Sequence, residues 1–188
     1  MNRQSKRSVA ELILEWMETF VFAVFMVLLC FTFVFRIVNV NGKSMENTLF
    51  NNDRLIVSHL MYTPQQGDIV IANSHVLNET IIKRIIALEN QTVEIDCKNN
   101  TVSVDGKILD EDYVKTNEFK DELCNSTFYD EEKQTYEFKV PLGYVFVMGD
   151  NRNNSTDSRM IGCIPKSEIG GKAVFRVYSE KAKIGKIN

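Results

Sequence analysis

The apolar run near the N-terminus constrains this chain more than any other feature. From Phe20 to Phe35 only Thr32 interrupts a series of aliphatic and aromatic residues, and Trp16 lies in its N-terminal extension. About 20 helical residues, each rising about 1.5 Å, cross the hydrocarbon core of a bilayer. Residues 12–35 are therefore predicted to form one transmembrane helix.

A buried core helix and a cleaved secretory signal both fit this run less well. A buried core helix contains about 10–14 apolar residues, which is shorter than the run in this chain. A cleaved secretory signal ends in a pair of small residues, whereas this run continues into Arg36, Ile37 and Val38. The run is therefore predicted to be an uncleaved signal anchor in the lipid bilayer.

The charges that flank the run predict its orientation. Three basic residues precede it, whereas only Arg36 follows it closely. Because basic residues stay on the cytoplasmic side of a membrane segment, residues 1–11 are expected in the cytoplasm. Residues 36–188 are then expected on the outer side of the cell membrane.

Charge and cysteine content argue against a nucleic-acid-binding protein, a disulfide-framework protein and a zinc protein. The net charge is −3 and no basic stripe is present, so no nucleic-acid partner is expected. The cysteines beyond the anchor are Cys97, Cys124 and Cys163, an odd set without zinc-ligand spacing. Neither a disulfide framework nor a zinc site is predicted. A single Cys97–Cys124 disulfide would require an oxidising exterior, and the sequence leaves that pairing open.

Beyond the anchor the sequence is typical of short β-strands. Segments rich in Val, Ile and aromatic residues alternate with turn residues, and no helical period of comparable strength appears. The predicted strands are residues 54–60, 68–73, 80–88, 92–95, 101–109, 135–140, 144–149 and 172–178. Many short, evenly spaced strands indicate a mainly β fold with an antiparallel sheet, sandwich-like or barrel-like.

One segment between the strands differs in composition. Residues 110–133 are acidic and irregular, so they are expected to form a solvated insertion. One core is therefore predicted from residues 36–92 and 135–188, with an inserted subdomain at about residues 93–134.

Three polar segments stand out against the apolar strands, and Ser44 lies in the first. It follows Gly42 and Lys43 in a turn where glycine permits a tight backbone. Such a turn can expose the hydroxyl beside N–H groups that bind an oxyanion. The alternative is an ordinary turn or a helix N-cap. A capping box would need Glu or Gln where the chain has Asn47, which weakens that alternative.

The second segment contains Lys83 within a strand of isoleucines. With period-2 alternation, the four isoleucines and two cations of residues 81–86 cannot all face water. If Lys83 points inward, burial lowers its pKa, and the neutral amine can act as a general base. The alternative is a surface lysine that extends along an edge strand.

The third segment, residues 149–159, directly follows a predicted strand. It contains two aspartates, two serines and two arginines, which can pair and hydrogen-bond into a rigid platform. It is only superficially similar to a calcium loop, because Arg152 occupies a ligand position. No metal is therefore expected in this loop.

Taken in this order, the segments resemble the type I signal peptidase family of membrane-anchored Ser/Lys endopeptidases. The resemblance covers nearly the whole chain: an N-terminal anchor, then GKSMENTL, RLIV, GDIVIAN with IIKRIIAL, and GDNRNNSTDSR followed by IGCIP. It implies a serine endopeptidase of the cell membrane that removes signal peptides from exported precursor proteins without a cofactor.

The resemblance assigns roles to individual residues. Ser44 is implied as the nucleophile and Lys83 as its general base. Ser155 is implied to orient the lysine amine through a hydrogen bond. Gly42 stands where some relatives have an oxyanion-binding serine, so backbone N–H groups near it are expected to bind the oxyanion.

The family pattern also implies ion pairs and substrate contacts. The ion pairs are Asp150 with Arg84 and Asp157 with Arg159. Shallow apolar pockets for the small residues before the cleavage site are implied for Met45, Leu49, Ile81 and Ile82. Addition of the substrate as a β-strand is implied along Val38 and Val40.

Some features leave alternatives open. Asn47 stands where the family usually has proline, which predicts a less rigid turn after the nucleophile. A self-cleaving, repressor-like Ser/Lys protease would need a DNA-binding module, which residues 1–36 lack. A cell-surface assembly protein, non-catalytic or dedicated to a few clients, would not need Ser44, Lys83 and Ser155 together.

Overall fold

The computed structural model describes residues 8–114, 128–133 and 135–187, without the side chains of residues 30, 31 and 33. Its first element is helix α1 (Val9–Val34). A capping box begins this helix. The Ser8 hydroxyl accepts a hydrogen bond from the Glu11 N–H at 3.2 Å, and the Glu11 carboxylate accepts one from the Ser8 N–H at 2.9 Å.

Helix α1 is exposed rather than packed into a core. Its stretch Val9–Leu29 is long and apolar enough to cross a membrane, and 0% of that stretch is buried. The core helix of a globular domain would be mostly buried, so the exposure fits the anchor predicted at residues 12–35. The helix ends at Val34 because Phe35 begins the first strand.

The strands that follow are short. Within the described residues they are β1 (Phe35–Asn39), β2 (Arg54–Ser58), β3 (Ile69–Ser74), β4 (Glu79–Ala87), β5 (Thr92–Asp96), β6 (Thr101–Val104), β7 (Lys107–Ile108), β8 (Tyr129–Asp130), β9 (Thr135–Lys139), β10 (Tyr144–Met148), β11 (Ile164–Pro165), β12 (Ile169–Tyr178) and β13 (Gly185–Lys186). A short helix, α2 (Ser158–Ile161), lies between β10 and β11. Every strand pair is antiparallel, which confirms the predicted mainly β fold.

The larger sheet begins with β1, which directly follows α1. Its strand order is β1-β2-β12-β3-β4-β10-β11, and β13 pairs with β12. Strand β1 lies at the edge of the sheet and pairs with β2. Strand β4 pairs with β3 along residues 79–84, but with β10 only from Arg84 onward. Among the described strands, β1 and residues 79–83 of β4 therefore each have one edge without a partner.

A second sheet is inserted between β4 and β10, which are neighbours in the first. Its strand order is β7-β6-β5-β9-β8. The β6–β7 hairpin turns at Asp105 and Gly106, whose φ angles of 51° and 76° suit an Asp-Gly turn of the hairpin type. Val93 and Phe138 from this sheet pack with Phe146 of β10 in one buried cluster. That cluster joins the two sheets.

The limits of the insertion differ from the predicted ones. Residues 135–188 are predicted in the main core, but Thr135–Lys139 pairs with Thr92–Asp96 in the second sheet. Strand propensity does not reveal which neighbour a strand pairs with, so the predicted range of 93–134 is too narrow. The Cys97–Cys124 pairing depends on Cys124, which lies outside the described residues.

Candidate active site

Ser44 lies in a turn that leaves the edge strand β1. Val40 continues the pairing beyond β1, since its N–H donates to the Asp53 carbonyl at 2.8 Å. Gly42 then adopts a φ of 96°, a left-handed conformation that favours glycine, and its N–H donates to Asn51 Oδ1 at 2.9 Å. The turn carries Ser44 away from β1 and into contact with β4.

Lys83 lies on β4 and contacts the Ser44 hydroxyl. Its Nζ donates to Ser44 Oγ at 2.7 Å. Lys83 is only 5% exposed, and Ile81 and Ile85 on the same face of the strand are also buried. Of the two orientations that the sequence allows for this lysine, the structure shows the inward one.

Burial controls the charge of this amine. Loss of solvent lowers the pKa of Lys83, and this effect exceeds the opposing influence of the nearby Asp157 and Glu79 carboxylates. A lysine with a lowered pKa is neutral in a larger fraction of molecules at neutral pH. Only the neutral amine has a lone pair that can accept the Ser44 proton.

The loop after β10 packs directly against the serine turn. A Cβ atom at Gly149 would lie 2.4 Å from the Ser44 carbonyl oxygen and 2.3 Å from Ser155 Oγ, so the approach requires glycine. The Asn151 N–H donates to the Ser44 carbonyl at 2.9 Å, and its side-chain amide donates to the Lys43 carbonyl at 3.0 Å. This loop therefore fixes the backbone that carries the Ser44 hydroxyl.

Asp157 organises the same loop from a fully buried position. It forms an ion pair with Arg159, with Nε–Oδ1 at 2.8 Å and Nη2–Oδ2 at 2.9 Å. It also accepts from the Ser155 hydroxyl at 2.7 Å and from the Gly149 N–H at 3.0 Å. Burial by itself would raise the pKa of this carboxyl, but Arg159 and the hydrogen bonds hold it below its ordinary value. Asp157 is therefore a carboxylate that holds the loop together.

Asp150 joins the serine turn to the lysine strand. Its carboxylate accepts from Arg84 Nε at 2.9 Å and from Arg84 Nη2 at 2.8 Å, and also from the Thr48 hydroxyl. Arg84 follows Lys83 on β4, and Thr48 lies in the turn that begins at Ser44. A bidentate, charged hydrogen-bond pair of this kind fixes geometry as well as energy. Asp150 thus helps to set the distance between the Ser44 and Lys83 side chains.

A groove of about 700 Å³ runs past Ser44 between β1 and β4. Its lining residues are Val38, Asn39, Val40, Asn41, Gly42, Lys43, Ser44, Met45, Glu79, Thr80, Ile81, Ile82, Lys83, Asn154 and Thr156. The predicted substrate-contact residues Val38, Val40, Met45, Ile81 and Ile82 are all among them. The groove follows the two strand edges that have no partner among the described strands.

Leu49 is buried behind the groove and does not line it, so its contact with substrate stays a prediction. It is 0% exposed and belongs to the core cluster with Leu55 and Ile69. The reason is the helical turn after Ser44, in which the Leu49 N–H donates to the Met45 carbonyl at 2.8 Å. That turn directs Leu49 into the core behind the groove.

Ser155 and Gly42 lie at the site but make contacts that differ from the expected ones. The Ser155 hydroxyl donates to Asp157, so its lone pairs remain as acceptors for an amine, and its orienting role stays a prediction. The Gly42 N–H is already bound to the Asn51 side chain, so Gly42 shapes the turn through its φ angle. The N–H of Ser44 makes no hydrogen bond to any described residue, which leaves it available for an oxyanion.

The sequence patterns assign no role to three residues that hold the turn. Thr48 and Asn151 lie inside the quoted motifs, so the motifs themselves carry a signal for them. Arg176 on β12 donates to the Thr48 carbonyl and forms an ion pair with Asp53, with Arg176 Nε and Asp53 Oδ2 3.0 Å apart. No local pattern in that strand predicts such a long-range contact.

The chemistry of the site suits acyl transfer. Within the described part of the chain, no group of three or more His, Cys, Asp or Glu residues could hold a metal ion. The groove presents the Ser44 hydroxyl against the buried Lys83 amine, together with the Ser44 backbone N–H, which is bound to none of the described residues. These are the parts that nucleophilic catalysis at a carbonyl carbon uses.

Comparison with known proteins gives the family. Residues 13–178 match the family model described as signal peptidase, peptidase S26. Signal peptidase I P of Bacillus subtilis subsp. natto is 39% identical over 166 residues, which cover 85% of each chain. Signal peptidase I S of Bacillus subtilis strain 168 is 38% identical over 178 residues, which cover 91% of this chain and 93% of that protein. The solved structure of a signal peptidase I from Enterococcus faecalis V583 is 30% identical, with a TM-score of 0.45, and covers 59% of this chain and 97% of its own. This chain belongs to the signal peptidase family, peptidase S26.

Proposed function

We propose that this chain is a type I signal peptidase that cleaves exported precursor proteins with a Ser44–Lys83 dyad. The observation that carries the proposal is the 2.7 Å contact between Lys83 Nζ and Ser44 Oγ. The lysine that makes this contact is 5% exposed, and the serine faces a groove. A hydroxyl beside a desolvated amine is an activated nucleophile.

The proposed reaction proceeds through an acyl-enzyme. Neutral Lys83 accepts the Ser44 proton as Oγ attacks the scissile carbonyl carbon, and the resulting oxyanion is bound by the Ser44 N–H. Collapse of this intermediate breaks the C–N bond, and Lys83 returns the proton to the leaving amine. Lys83 then takes a proton from a water molecule as the water oxygen attacks the ester carbonyl carbon, and it returns that proton to Ser44 Oγ as the acyl bond breaks. The dyad thus completes both half-reactions with one base.

The groove supports binding of the substrate as an extended chain. Strand β1 and residues 79–83 of β4 present backbone N–H and C=O groups on facing edges. An extended peptide between them would add to the sheet through its main chain, while alternate side chains enter pockets beside Met45 and Ile82. Main-chain recognition with small pockets suits a protease that reads small residues before the cleavage site.

The anchor places this chemistry at the membrane. Ser44 lies nine residues after Phe35, the first residue beyond α1, so even an extended chain keeps the nucleophile within about 30 Å of Phe35. In the proposed topology, residues 1–11 are cytoplasmic, residues 12–35 span the bilayer and residues 36–188 form the catalytic domain outside. Protease added to intact protoplasts should then digest that domain; its protection would contradict the orientation.

Replacement of the nucleophile tests the proposal. Wild type, Ser44→Ala and the control Ser103→Ala, on β6 of the inserted sheet, are incubated in detergent with a precursor that carries Ala-x-Ala before the mature sequence. Ser44→Ala should lose all detectable cleavage, since loss of a nucleophilic serine costs about a million-fold in kcat in a serine protease. Ser103→Ala should cleave like wild type. Cleavage by Ser44→Ala at the wild-type rate would refute the Ser44 mechanism, and an intact precursor with wild type would indicate a non-catalytic protein.

A further inference from the structure

The inserted sheet contacts the active site through one turn. Residues 111–114, named the 111–114 turn, follow β7 and are closed by a hydrogen bond from the Val114 N–H to the Glu111 carbonyl at 3.0 Å. The sequence predicts that this acidic stretch is solvated, but the Glu111 side chain is only 10% exposed. It is buried because it pairs with the buried side chain of Arg152. The start of the acidic stretch is therefore part of the folded core.

We infer that Glu111 and Tyr113 are positioning residues that hold the Ser44 and Lys83 side chains at hydrogen-bonding distance. The inference rests on the proposed Ser/Lys mechanism, because it concerns the same dyad. Neither Glu111 nor Tyr113 lines the substrate groove. Tyr113 acts through Arg84, and Glu111 acts through Arg152.

Tyr113 covers the arginine that follows Lys83. Arg84 Cζ lies 4.0 Å from the centroid of the Tyr113 ring, which is a close cation–π contact. Arg84 is 3% exposed and bound to Asp150, so the contact is made in a desolvated environment where it is strongest. Because Arg84 adjoins Lys83 on β4, the ring restricts movement of the strand segment that carries the amine.

Glu111 holds the loop that packs against the serine. Its carboxylate binds both terminal nitrogens of Arg152, with Nη1–Oε2 at 3.0 Å. Arg152 is 1% exposed and its Nε donates to the Gly149 carbonyl at 3.2 Å. Gly149 in turn lies against the Ser44 carbonyl oxygen. The charge of Glu111 therefore stabilises the loop on which the nucleophile turn rests.

The two positioning residues also support each other. Burial raises the pKa of the Tyr113 phenol, and the neighbouring Glu111 carboxylate raises it further. The phenol therefore stays protonated and donates to Glu111 Oε1 at 2.9 Å. One hydrogen bond thus connects the contact with Arg84 to the contact with Arg152.

A third contact reaches the serine turn itself. Asn47, three residues after Ser44, has a φ of 125°, which non-glycine residues rarely adopt. Its side-chain amide donates to the Tyr113 carbonyl at 3.3 Å. Strained backbone of this kind persists only where surrounding contacts hold it. The 111–114 turn therefore contacts the serine turn, the lysine strand and the loop after β10.

This arrangement predicts an effect on the chemical step rather than on binding. Release of Arg84 or Arg152 would loosen the Ser44–Lys83 contact, and small misplacements of reacting groups cost large factors in rate. The substrate-binding edges would keep their geometry, because β1 is held by its pairing with β2 and residues 79–82 of β4 by their pairing with β3, and the 111–114 turn takes part in neither pairing. A positioning defect therefore lowers kcat and leaves KM unchanged.

The experiment uses the full-length protein in detergent and a precursor with Ala-x-Ala before the mature sequence. Tyr113→Leu removes the ring face, whereas Tyr113→Phe keeps the ring and removes only the hydroxyl. Tyr178→Leu is the matched control, because it removes the same kind of contact from an exposed surface: Arg54 Cζ lies 5.5 Å from the centroid of the exposed Tyr178 ring. Single-turnover cleavage with saturating enzyme gives a rate constant that does not depend on the folded fraction.

Tyr113→Leu should lower the rate constant about tenfold, corresponding to loss of a desolvated cation–π contact, with KM changed by less than about twofold. Tyr113→Phe keeps the ring on Arg84 but loses the hydrogen bond to Glu111, so it should lower the rate constant less than Tyr113→Leu does, and Tyr178→Leu should stay within about twofold of wild type. Glu111→Gln provides a second, nearly isosteric probe, with Glu137→Gln as its control on an exposed Glu–Lys pair. It should also lower the rate constant at unchanged KM.

A wild-type rate constant in Tyr113→Leu or in Glu111→Gln would overturn the inference, and so would a rise in KM without a fall in rate. Ser44→Ala, measured in the same assay, separates this failure from failure of the mechanism. If Ser44→Ala still cleaves the precursor, the proposed dyad is wrong. If Ser44→Ala is inactive while the positioning variants are normal, only the role of the 111–114 turn is wrong.

Discussion

Substitution of Gly149 by alanine should damage catalysis by pushing apart two elements that now touch. The added Cβ would lie 2.4 Å from the Ser44 carbonyl oxygen and 2.3 Å from Ser155 Oγ. The Ser44 oxygen would have to recede by about 0.6 Å merely to reach 3.0 Å, which is still closer than a comfortable van der Waals contact. Hydrogen bonds to Asn151 and Asp157 fix the backbone at Ser44 and Gly149, so the backbone cannot move aside to relieve this clash.

The magnitude follows from the two consequences of that shift. Overpacking of a close-packed site costs about 1–3 kcal/mol in the free energy of unfolding. Misplacement of a nucleophile by about 1 Å costs about a hundredfold in rate. Gly149→Ala should therefore lower kcat/KM about a hundredfold and destabilise the fold by about 1–3 kcal/mol.

Gly170→Ala is the matched control for this variant. The nearest atom to a Cβ at Gly170 is the Ile71 carbonyl oxygen at 3.6 Å, an ordinary contact. Precursor cleavage and denaturant unfolding are measured for both variants and wild type. Wild-type kcat/KM in Gly149→Ala, or equal losses in the two variants, would refute the claim that close approach at Gly149 positions Ser44.

Four further predictions concern charge and backbone geometry. Because burial lowers the pKa of Lys83, kcat/KM should rise with pH and level off well below the ordinary lysine pKa of about 10.4; a midpoint near that value would contradict a buried base. Lys83→Met should be more stable than wild type at pH 7, because the Lys83 pKa is lower in the folded state than in the unfolded state; the difference should shrink as the pH rises and become independent of pH above about 10.4 in denaturant titrations. Asn47→Pro should reduce folding and cleavage, because proline fixes φ near about −65° whereas Asn47 has a φ of 125°; circular dichroism melts would reveal an unchanged protein if this is wrong. Asp150→Ala should cost about 3–5 kcal/mol of unfolding free energy by leaving the buried Arg84 unpaired, and a loss below about 1 kcal/mol would argue against that ion pair.

Much of the fold could be predicted because its signals are local. An apolar run without charges indicates a spanning helix, and the hairpin at Asp105-Gly106 carries its own turn sequence. The pairing of Thr135–Lys139 with Thr92–Asp96 could not be predicted, since the partners are distant in sequence and each strand pattern is compatible with either sheet. The predicted limits of the insertion are too narrow for this reason.

In the candidate site too, features with a local signal could be predicted and features that depend on tertiary packing could not. Alternation along β4 leaves two orientations for the Lys83 side chain, and the motif resemblance implies Ser44 and Lys83 as the catalytic pair. The burial of Leu49 behind the groove could not be predicted, because the helical turn that directs it into the core leaves no signal in the motif. The contacts of Tyr113 and Arg176 depend on tertiary packing alone, so no spacing in the sequence indicates them.

The proposed mechanism depends on the pair of Ser44 with Lys83, and the lysine is its most specific part. Lys83→Met keeps the length and burial of the side chain but removes the amine, while Lys107→Met changes an exposed lysine on β7. Both variants and wild type are incubated with the same exported precursor under single-turnover conditions. A folded Lys83→Met should give no detectable product, and Lys107→Met should cleave like wild type; cleavage by Lys83→Met within about tenfold of wild type would contradict a lysine base.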